Sequence, residues 1–247
     1  MNPKTFYLYL HIVYVMVVIE RIKTGIRGFD NLVEGGLPKG SCILMSGTPG
    51  TGKTIFGVEF ISRGAEKFGE KGLYISFEES SESITEQAEQ LNLDVKKHVS
   101  KGIVKFLCIP AEEISNNTVN DIIKMIKDER INRVVIDSLS TLAINSPYTV
   151  QNPQTAMNRF IYSFVNSIKR SSNVTSMLIS HTADDKSLSK DSISEFICDG
   201  IIHVIYESMG GDLSRSLLVR KMRKTKNDED IHPLEITSKG LVVHSIK

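Results

Sequence analysis

The stretch SCILMSGTPGTGKT, residues 41–54, decides how the rest of this chain of 247 residues is interpreted. Its first part, SCILMSG (41–47), is a short apolar run that ends in glycine, and this predicts a buried strand. The residues from Lys53 to about Phe68 combine one apolar face with one polar face, which predicts a helix. Between them lies the pattern G-x-x-x-x-G-K-[ST], in the strand–loop–helix setting that a phosphate-binding loop requires.

This loop has the composition that phosphate binding needs. Its glycines allow successive backbone N–H groups to turn inward around an anion, and the next helix adds the partial positive charge of its N-terminus. A lysine here can reach the β- and γ-phosphates of a nucleotide, and the hydroxyl after it can ligate Mg²⁺. The predicted nucleotide-binding residues are Gly47, Thr48, Pro49, Gly50, Thr51, Gly52, Lys53 and Thr54.

A carboxylate suited to the metal ends another predicted strand. Asp137 closes the apolar run RVVID (133–137). In a parallel sheet the carboxyl ends of the strands face the nucleotide, where an aspartate can hold Mg²⁺ through water. The predicted metal residues are therefore Thr54 and Asp137.

Two adjacent acids, Glu78 and Glu79, follow the predicted strand GLYISF (72–77). One of them could orient and deprotonate an attacking water, so we predict Glu78, Glu79 and Lys53 as catalytic residues. The alternative is that both acids only cap the helix that follows, where negative charge suits the helix dipole. Side chains alternate along an extended backbone, so one acid is expected to face the nucleotide, and the spacing does not say which.

Apolar runs alternate with amphipathic stretches from about residue 40 to residue 206. This predicts an α/β fold, with a mostly parallel sheet flanked by helices and TSMLIS (175–180) as its last parallel strand. Four strand-like runs then follow one another with only turn-like residues between them, and these predict a C-terminal antiparallel β meander. The four runs are IIHVIY, SRSLLVRKM, IHPLEIT and LVVHSI.

The composition excludes few classes of protein. The formal net charge of +1 provides no global attraction to nucleic acid or to a membrane surface. The three cysteines, Cys42, Cys108 and Cys198, lack metal-ligand spacing, so neither a disulfide framework nor a zinc site is expected. We interpret them as small core residues of a protein in a reducing cytoplasm.

These motifs, in this order, resemble those of the KaiC-like group of RecA-superfamily P-loop ATPases over about residues 20–247. The phosphate loop marks P-loop proteins in general, whereas the paired glutamates and the KMR strand narrow the resemblance to the KaiC-like group. The similar stretches are residues 22–54, LYISFEES (73–80), RVVIDSLS (133–140), EFICDGIIHV (195–204) and residues 215–243.

The resemblance implies a RecA-like core that hydrolyses ATP with Mg²⁺, usually in hexameric rings with nucleotide at the subunit boundaries. It implies Glu78 as general base, Glu79 as a second acid, and Lys221 and Arg223 as residues that reach the neighbouring subunit's nucleotide. A basic side chain supplied in trans can stabilise the transition state of phosphoryl transfer. The alternative is a solvated basic strand end. The chain departs from the family at Lys224, where glycine is common.

Three functions remain open at this point. The first is a cytoplasmic, homo-oligomeric ATPase that acts as a nucleotide-dependent switch on an unidentified protein partner. The second is a RadA-like ATPase that binds DNA through residues 141–153 and 183–196, but these stretches offer few basic residues and, for stacking on bases, Tyr148 and little else. A nucleotide-binding subunit with little turnover is a third possibility, which the full set of predicted catalytic residues disfavours.

An apolar segment, TFYLYLHIVYVMVVI (5–19), precedes the predicted ATPase domain (20–247). It is short for a membrane span, and a signal peptide would need a small-residue cleavage site that is not present. Its aromatic and β-branched content favours an extended strand, so we expect residues 1–19 to form a strand or arm at a subunit interface. The alternative is that Met16 is the natural start and residues 1–15 are an upstream extension.

Overall fold

The computed structural model of the chain describes residues 18–115, 117–144, 153–171, 173–184, 187–189, 191, 193–209 and 212–246. Residues 1–17, which hold most of the apolar N-terminal segment, lie outside this set, as does much of the two stretches considered for DNA binding. The expectations for these parts of the chain therefore stay predictions.

Eleven strands and seven α-helices occur in the described residues. The strands are β1 (Arg21–Ile22), β2 (Leu37–Pro38), β3 (Cys42–Gly47), β4 (Gly72–Ser76), β5 (Val104–Cys108), β6 (Arg133–Asp137), β7 (Thr175–His181), β8 (Gly200–Met209), β9 (Asp212–Met222), β10 (Ile231–Thr237) and β11 (Gly240–Val243). The helices are α1 (Lys53–Phe68), α2 (Ser81–Gln90), α3 (Val95–Ser100), α4 (Thr118–Asp128), α5 (Leu139–Ile144), α6 (Pro153–Arg170) and α7 (Ser194–Ile197).

Nine of the strands form one sheet in the order β11-β10-β9-β8-β3-β7-β6-β4-β5. The pairs from β8 to β5 are parallel, and β8, β9, β10 and β11 pair antiparallel, which confirms the predicted α/β fold with its C-terminal meander. The prediction of the last parallel strand is wrong. The last parallel strand is β8 and not β7, because β8 pairs parallel with β3 and antiparallel with β9.

The central strand β3 explains why the sheet is covered on both sides. All six of its residues are buried. Ile43 and Met45 pack in the hydrophobic cluster that includes α1, whereas Cys42 and Leu44 pack in the opposite cluster with α4 and α6. Successive side chains of a strand point to opposite faces of the sheet, so neighbouring residues enter different clusters. Because both faces are buried, β3 is apolar at almost every position.

The helix ends follow local chemistry. Ser80 caps α2 by accepting a hydrogen bond from the Ser83 N–H at 3.3 Å, which is the usual role of a serine at this position. The short helices α3, α5 and α7 were not predicted, because four to six residues carry too little periodicity to be recognised. Among the helices the structure describes, none is both long enough and apolar enough to cross a bilayer.

Candidate nucleotide site

The predicted phosphate loop begins at the carboxyl end of β3 and ends at the first turn of α1. Gly52, which precedes the helix, has a φ of 99°, a conformation that side-chain-bearing residues rarely adopt. A Cβ on Gly47 would lie 2.3 Å from the carbonyl oxygen of Val204 on the neighbouring strand β8. These two positions require glycine for physical reasons, and the loop has the strand–loop–helix setting that the motif demands.

Lys53 lies inside this loop and is only 4 % exposed. Its ammonium donates hydrogen bonds to the carbonyl oxygens of Gly47 and Thr48, at 2.8 and 2.7 Å. Burial lowers the pKa of Lys53 to about 8, although the nearby carboxylates of Asp137 and Glu78 act in the opposite direction. A phosphate would offer this ammonium a charged acceptor, which makes a stronger hydrogen bond than a neutral carbonyl.

Thr54 and Asp137 meet directly beneath the loop. The Thr54 hydroxyl donates to Asp137 Oδ2 at 2.8 Å, and the Tyr74 hydroxyl donates to the same oxygen at 2.6 Å. Burial raises the pKa of Asp137, and the two hydroxyl donors oppose that shift. A hydroxyl beside one carboxylate suits Mg²⁺, which prefers oxygen ligands and takes the remainder from substrate phosphates and water. The described residues hold no larger group of His, Cys, Asp and Glu that could bind a metal.

The two glutamates after β4 face different parts of the molecule. Glu78 Oε1 accepts hydrogen bonds from Ser138, at 2.7 Å, and from Thr141. Its other oxygen, Oε2, lies 3.5 Å from His181 Nε2. The pKa of Glu78 falls to about 2, chiefly because of His181, with further contributions from the two hydroxyl donors and despite some burial. Glu78 is therefore a carboxylate that stays ionised beside the phosphate loop.

Glu79 turns toward helix α2 instead. Its Oε2 accepts hydrogen bonds from Ser83, at 2.7 Å, and from Gln87, which lie one turn apart on that helix. Its backbone N–H donates to Ser76 Oγ at 2.9 Å. Glu78 thus lies on the side of Lys53 and Asp137, whereas Glu79 faces α2, and which of the two acids faces a nucleotide stays a prediction.

Lys221 and Arg223 lie far from the phosphate loop of their own chain. The Lys221 ammonium donates to the carbonyls of Glu195 and Cys198, at 2.8 and 2.9 Å. Arg223 donates to Asp199 Oδ1 at 3.2 Å and to the Phe196 carbonyl at 2.9 Å.

The contacts of Asp199 show that Lys221 and Arg223 lie near the amino end of β3. It accepts a 3.0 Å hydrogen bond from the N–H of Cys42, the first residue of β3, whereas the phosphate loop follows the last residue, Gly47. At about 3.3 Å per residue, the two ends of β3 are roughly 17 Å apart. The structure therefore does not bring Lys221 or Arg223 to Lys53 within one chain. Lys224, which stands where the family commonly has glycine, has a φ of 59°, a conformation that favours glycine.

Arg215 is a loop neighbour that the sequence interpretation missed. Its guanidinium donates to the carbonyl oxygen of Gly50 through Nε and Nη2, both at 3.2 Å. It also lies 4.7 Å from the ring centroid of Tyr206, its cross-strand partner on β8. No local motif marks Arg215, because the register of β8 against β9 alone brings it to the loop. Tyr74 was missed for the same reason, since only the pairing of β4 with β6 places it beside Asp137.

Comparisons with known proteins show which family the chain is similar to. The model of the family described as KaiC ATPase matches residues 22–247. A UPF0273 protein of Pyrococcus horikoshii is 33 % identical over 92 % of this chain and 95 % of its own length. A UPF0273 protein of Thermotoga maritima is 32 % identical over 92 % of this chain and 97 % of its own length.

Among solved structures, a KaiC-like protein of Pyrococcus horikoshii superposes with a TM-score of 0.81 at 30 % identity, covering 92 % of this chain and all of that one. The sheet order, the phosphate loop and these matches lead to one conclusion. The chain belongs to the KaiC-like family of RecA-superfamily ATPases.

Proposed function

We propose that this protein binds ATP with Mg²⁺ and hydrolyses it to ADP and phosphate. The observation that carries the proposal is the hydrogen bond between Thr54 and Asp137 beneath a loop that encloses the Lys53 ammonium. This arrangement offers a cation to the phosphates and oxygen ligands to the metal, side by side at the carboxyl edge of a parallel sheet.

Different residues of the chain would bind the phosphates, hold the metal and activate the water. The loop N–H groups and Lys53 would bind the β- and γ-phosphates, and Thr54 and Asp137 would hold Mg²⁺, which supplies neutralisation of phosphate charge. Glu78 would orient the attacking water and accept its proton, because it is an ionised carboxylate on the loop side of β4. Glu79, held by Ser83 and Gln87, would mainly fix helix α2 against the end of β4.

The test is phosphate release from ATP, measured with Mg²⁺ and again with excess chelator. We expect turnover that requires Mg²⁺ and is lost in Lys53→Ala, while ATP binding weakens. The matched control is Lys39→Ala, because Lys39 pairs with Glu20 on the surface, away from the loop. Hydrolysis that is unchanged in Lys53→Ala would show that the activity comes from another site or from a contaminant.

The proposal extends to a homo-oligomer, in the form of a hexameric ring with nucleotide at the subunit interfaces. Its support is the position of Lys221 and Arg223 at the edge of the sheet opposite the loop, so that only another subunit could bring them to a nucleotide. Light scattering with ATP and with ADP would measure the assembly. A protein that stays monomeric at every nucleotide concentration while hydrolysing ATP at full rate would contradict this part.

The ATPase would act in the cytoplasm as a switch on a protein partner. Residues 20–247 would form the ATPase domain, and the apolar N-terminal segment would serve as an interface strand. A pull-down from native extract with ATP-loaded Glu78→Gln and with ADP-loaded protein should recover a partner in one state only. Salt-sensitive retention of single-stranded DNA would instead favour the recombinase-like function. Mass spectrometry of the native N-terminus would show whether residues 1–15 are present.

A further inference from the structure

The start of helix α5 holds the carboxylate of Glu78. Ser138, the residue before the helix, donates its hydroxyl proton to Glu78 Oε1 at 2.7 Å. The Thr141 hydroxyl donates to the same oxygen. The two hydroxyl oxygens are 3.0 Å apart, so they form a pair that converges on one carboxylate oxygen.

Local helix chemistry fixes the position of this hydroxyl pair. Ser138 Oγ accepts a 3.2 Å hydrogen bond from the Thr141 N–H, which is the usual contact between an N-cap residue and the third residue of a helix. The Leu142 N–H donates to the Ser138 carbonyl at 3.1 Å and closes the first turn. Thr141 is β-branched, so its side chain has few rotamers available within the helix. Thr141 therefore presents its hydroxyl in a restricted direction.

We propose that Thr141 is a positioning residue for ATP hydrolysis, which fixes Glu78 Oε1 so that Oε2 stays directed toward the attacking water. This inference rests on the proposed ATPase function and on Glu78 as its base. The Glu78 side chain is 40 % exposed, so packing alone does not hold its rotamer. Both hydroxyls bind Oε1, whereas Oε2 lies 3.5 Å from His181 Nε2, so the hydroxyl pair leaves Oε2 to the water.

Thr141 separates this role from a structural one better than Ser138 does. Ser138 is fully buried and caps α5, so its replacement would also disturb the helix. Thr141 is partly buried, and its backbone makes the capping contact whatever its side chain is. The substitution Thr141→Val keeps the shape of the side chain and removes only the hydroxyl.

The experiment compares steady-state ATP hydrolysis of the wild type with that of Thr141→Val and Thr141→Ser. Loss of a hydrogen bond to a charged group predicts that kcat falls about tenfold or more in Thr141→Val, with KM for ATP within about twofold. Thr141→Ser restores the hydroxyl and should return kcat to within about threefold of the wild type. Thr85→Val is the matched control, because Thr85 on α2 donates its hydroxyl to the Ser81 carbonyl of its own helix.

The same substitution in a Glu78→Ala background identifies the residue through which Thr141 acts. Single-turnover hydrolysis by Glu78→Ala should be slow, and Thr141→Val should not slow it further. An equal loss in both backgrounds, a loss confined to KM, or wild-type kcat in Thr141→Val would overturn the inference while leaving the ATPase intact. Absence of hydrolysis in the wild type would instead overturn the proposed function itself.

Discussion

The two ends of strand β3 carry charged groups of very different character. At the carboxyl end, Lys53, Asp137 and Glu78 converge on a loop built to hold an anion. At the amino end, Arg223 and Lys169 both bind Asp199, and Lys221 binds backbone carbonyls. At the first end the Lys53 ammonium is bound by neutral carbonyl oxygens, which a charged phosphate could replace, whereas at the second end Arg223 and Lys169 are already paired with a carboxylate of the same chain.

If Lys221 and Arg223 act on a nucleotide, as we propose, each chain holds only part of a complete site. Groups that stabilise phosphoryl transfer must lie within a few ångströms of the phosphates, and about 17 Å of strand separates the two ends. In a ring, however, the amino end of one subunit can face the carboxyl end of the next. Variants at each end of β3 can show whether the two ends take part in one reaction.

The largest expected effect comes from the amino end. Arg223→Ala should lower kcat on the order of a thousandfold if Arg223 acts as a charge supplied in trans. Lys53→Ala should also be inactive, yet a mixture of the two variants should regain activity, because some interfaces then combine an intact loop with an intact arginine. Phosphate release across mixing ratios measures this. No recovery at any ratio would mean that Arg223 does not act across the interface.

The next effect belongs to the carboxyl end alone. Asp137→Asn keeps the shape of the side chain and removes its charge, and we expect kcat/KM to fall on the order of several hundredfold, with a higher Mg²⁺ requirement. Tyr74→Phe is the control, since it removes one donor to the same carboxylate and leaves the charge in place. A loss in Tyr74→Phe as large as in Asp137→Asn would show that the geometry of the carboxylate matters more than its charge.

At the carboxyl end, Glu78 and Glu79 are expected to contribute to hydrolysis to different extents. Glu78→Gln should reduce kcat about a hundredfold, because the amide cannot accept the proton of water. Glu79→Gln should reduce kcat less than about tenfold, since Glu79 contacts Ser83 and Gln87 on α2 rather than the loop. Phosphate release by both variants at saturating ATP provides the measurement. The reverse order of the two losses would exchange their roles.

The smallest effect concerns stability at the amino end. Burial acts to raise the pKa of Asp199, but hydrogen bonds from Lys169 and the Cys42 N–H outweigh it, and the pKa is lowered. A lowered pKa means stability that is present above the unfolded-state value of 3.8 and lost as the pH falls through the folded-state value. Asp199→Asn should therefore cost about 2 kcal/mol in the free energy of unfolding at neutral pH, and less below about pH 4.

Urea unfolding at several pH values would measure the effect of Asp199→Asn. Glu89→Gln is the matched control, because the Glu89–Lys96 pair is largely exposed and should contribute less than about 1 kcal/mol. A penalty that stays constant down to acidic pH would show that the carboxylate charge of Asp199 does not stabilise this end of the sheet.

The secondary structure was predictable wherever a long segment has a single periodicity of apolar side chains. The strands β3, β4, β6 and β7 and the helix α1 all lie close to where their patterns place them. The short helix α3 and the parallel pairing of β8 were not predicted, since one depends on few residues and the other on strand order. Fully buried Arg133 was also unforeseen, because its guanidinium is satisfied by Glu70 and by carbonyls such as that of Phe60.

The candidate site also has a part that the sequence predicts and a part that it does not. The phosphate loop and the position of Asp137 could be predicted, because both depend on a motif or on the end of one strand. The contacts of Glu78 and Glu79 could not, because they depend on where α5 and α2 begin relative to β4. Contacts between distant residues could not be predicted in general. The sulfurs of Cys42 and Cys198, for example, lie 4.0 Å apart although the two residues are 156 positions apart in the chain.

By itself, the sequence determined the phosphate loop, the alternation of strands and helices, and the family to which they point. These depend on hydrogen bonding and side-chain periodicity within a few residues, so they can be recognised locally. Only the tertiary structure decided that Thr54 meets Asp137, 83 residues away, and that Arg215 meets Gly50, 165 residues away. Such contacts depend on strand order and register, which are set by how the whole core packs and are not encoded in any short segment.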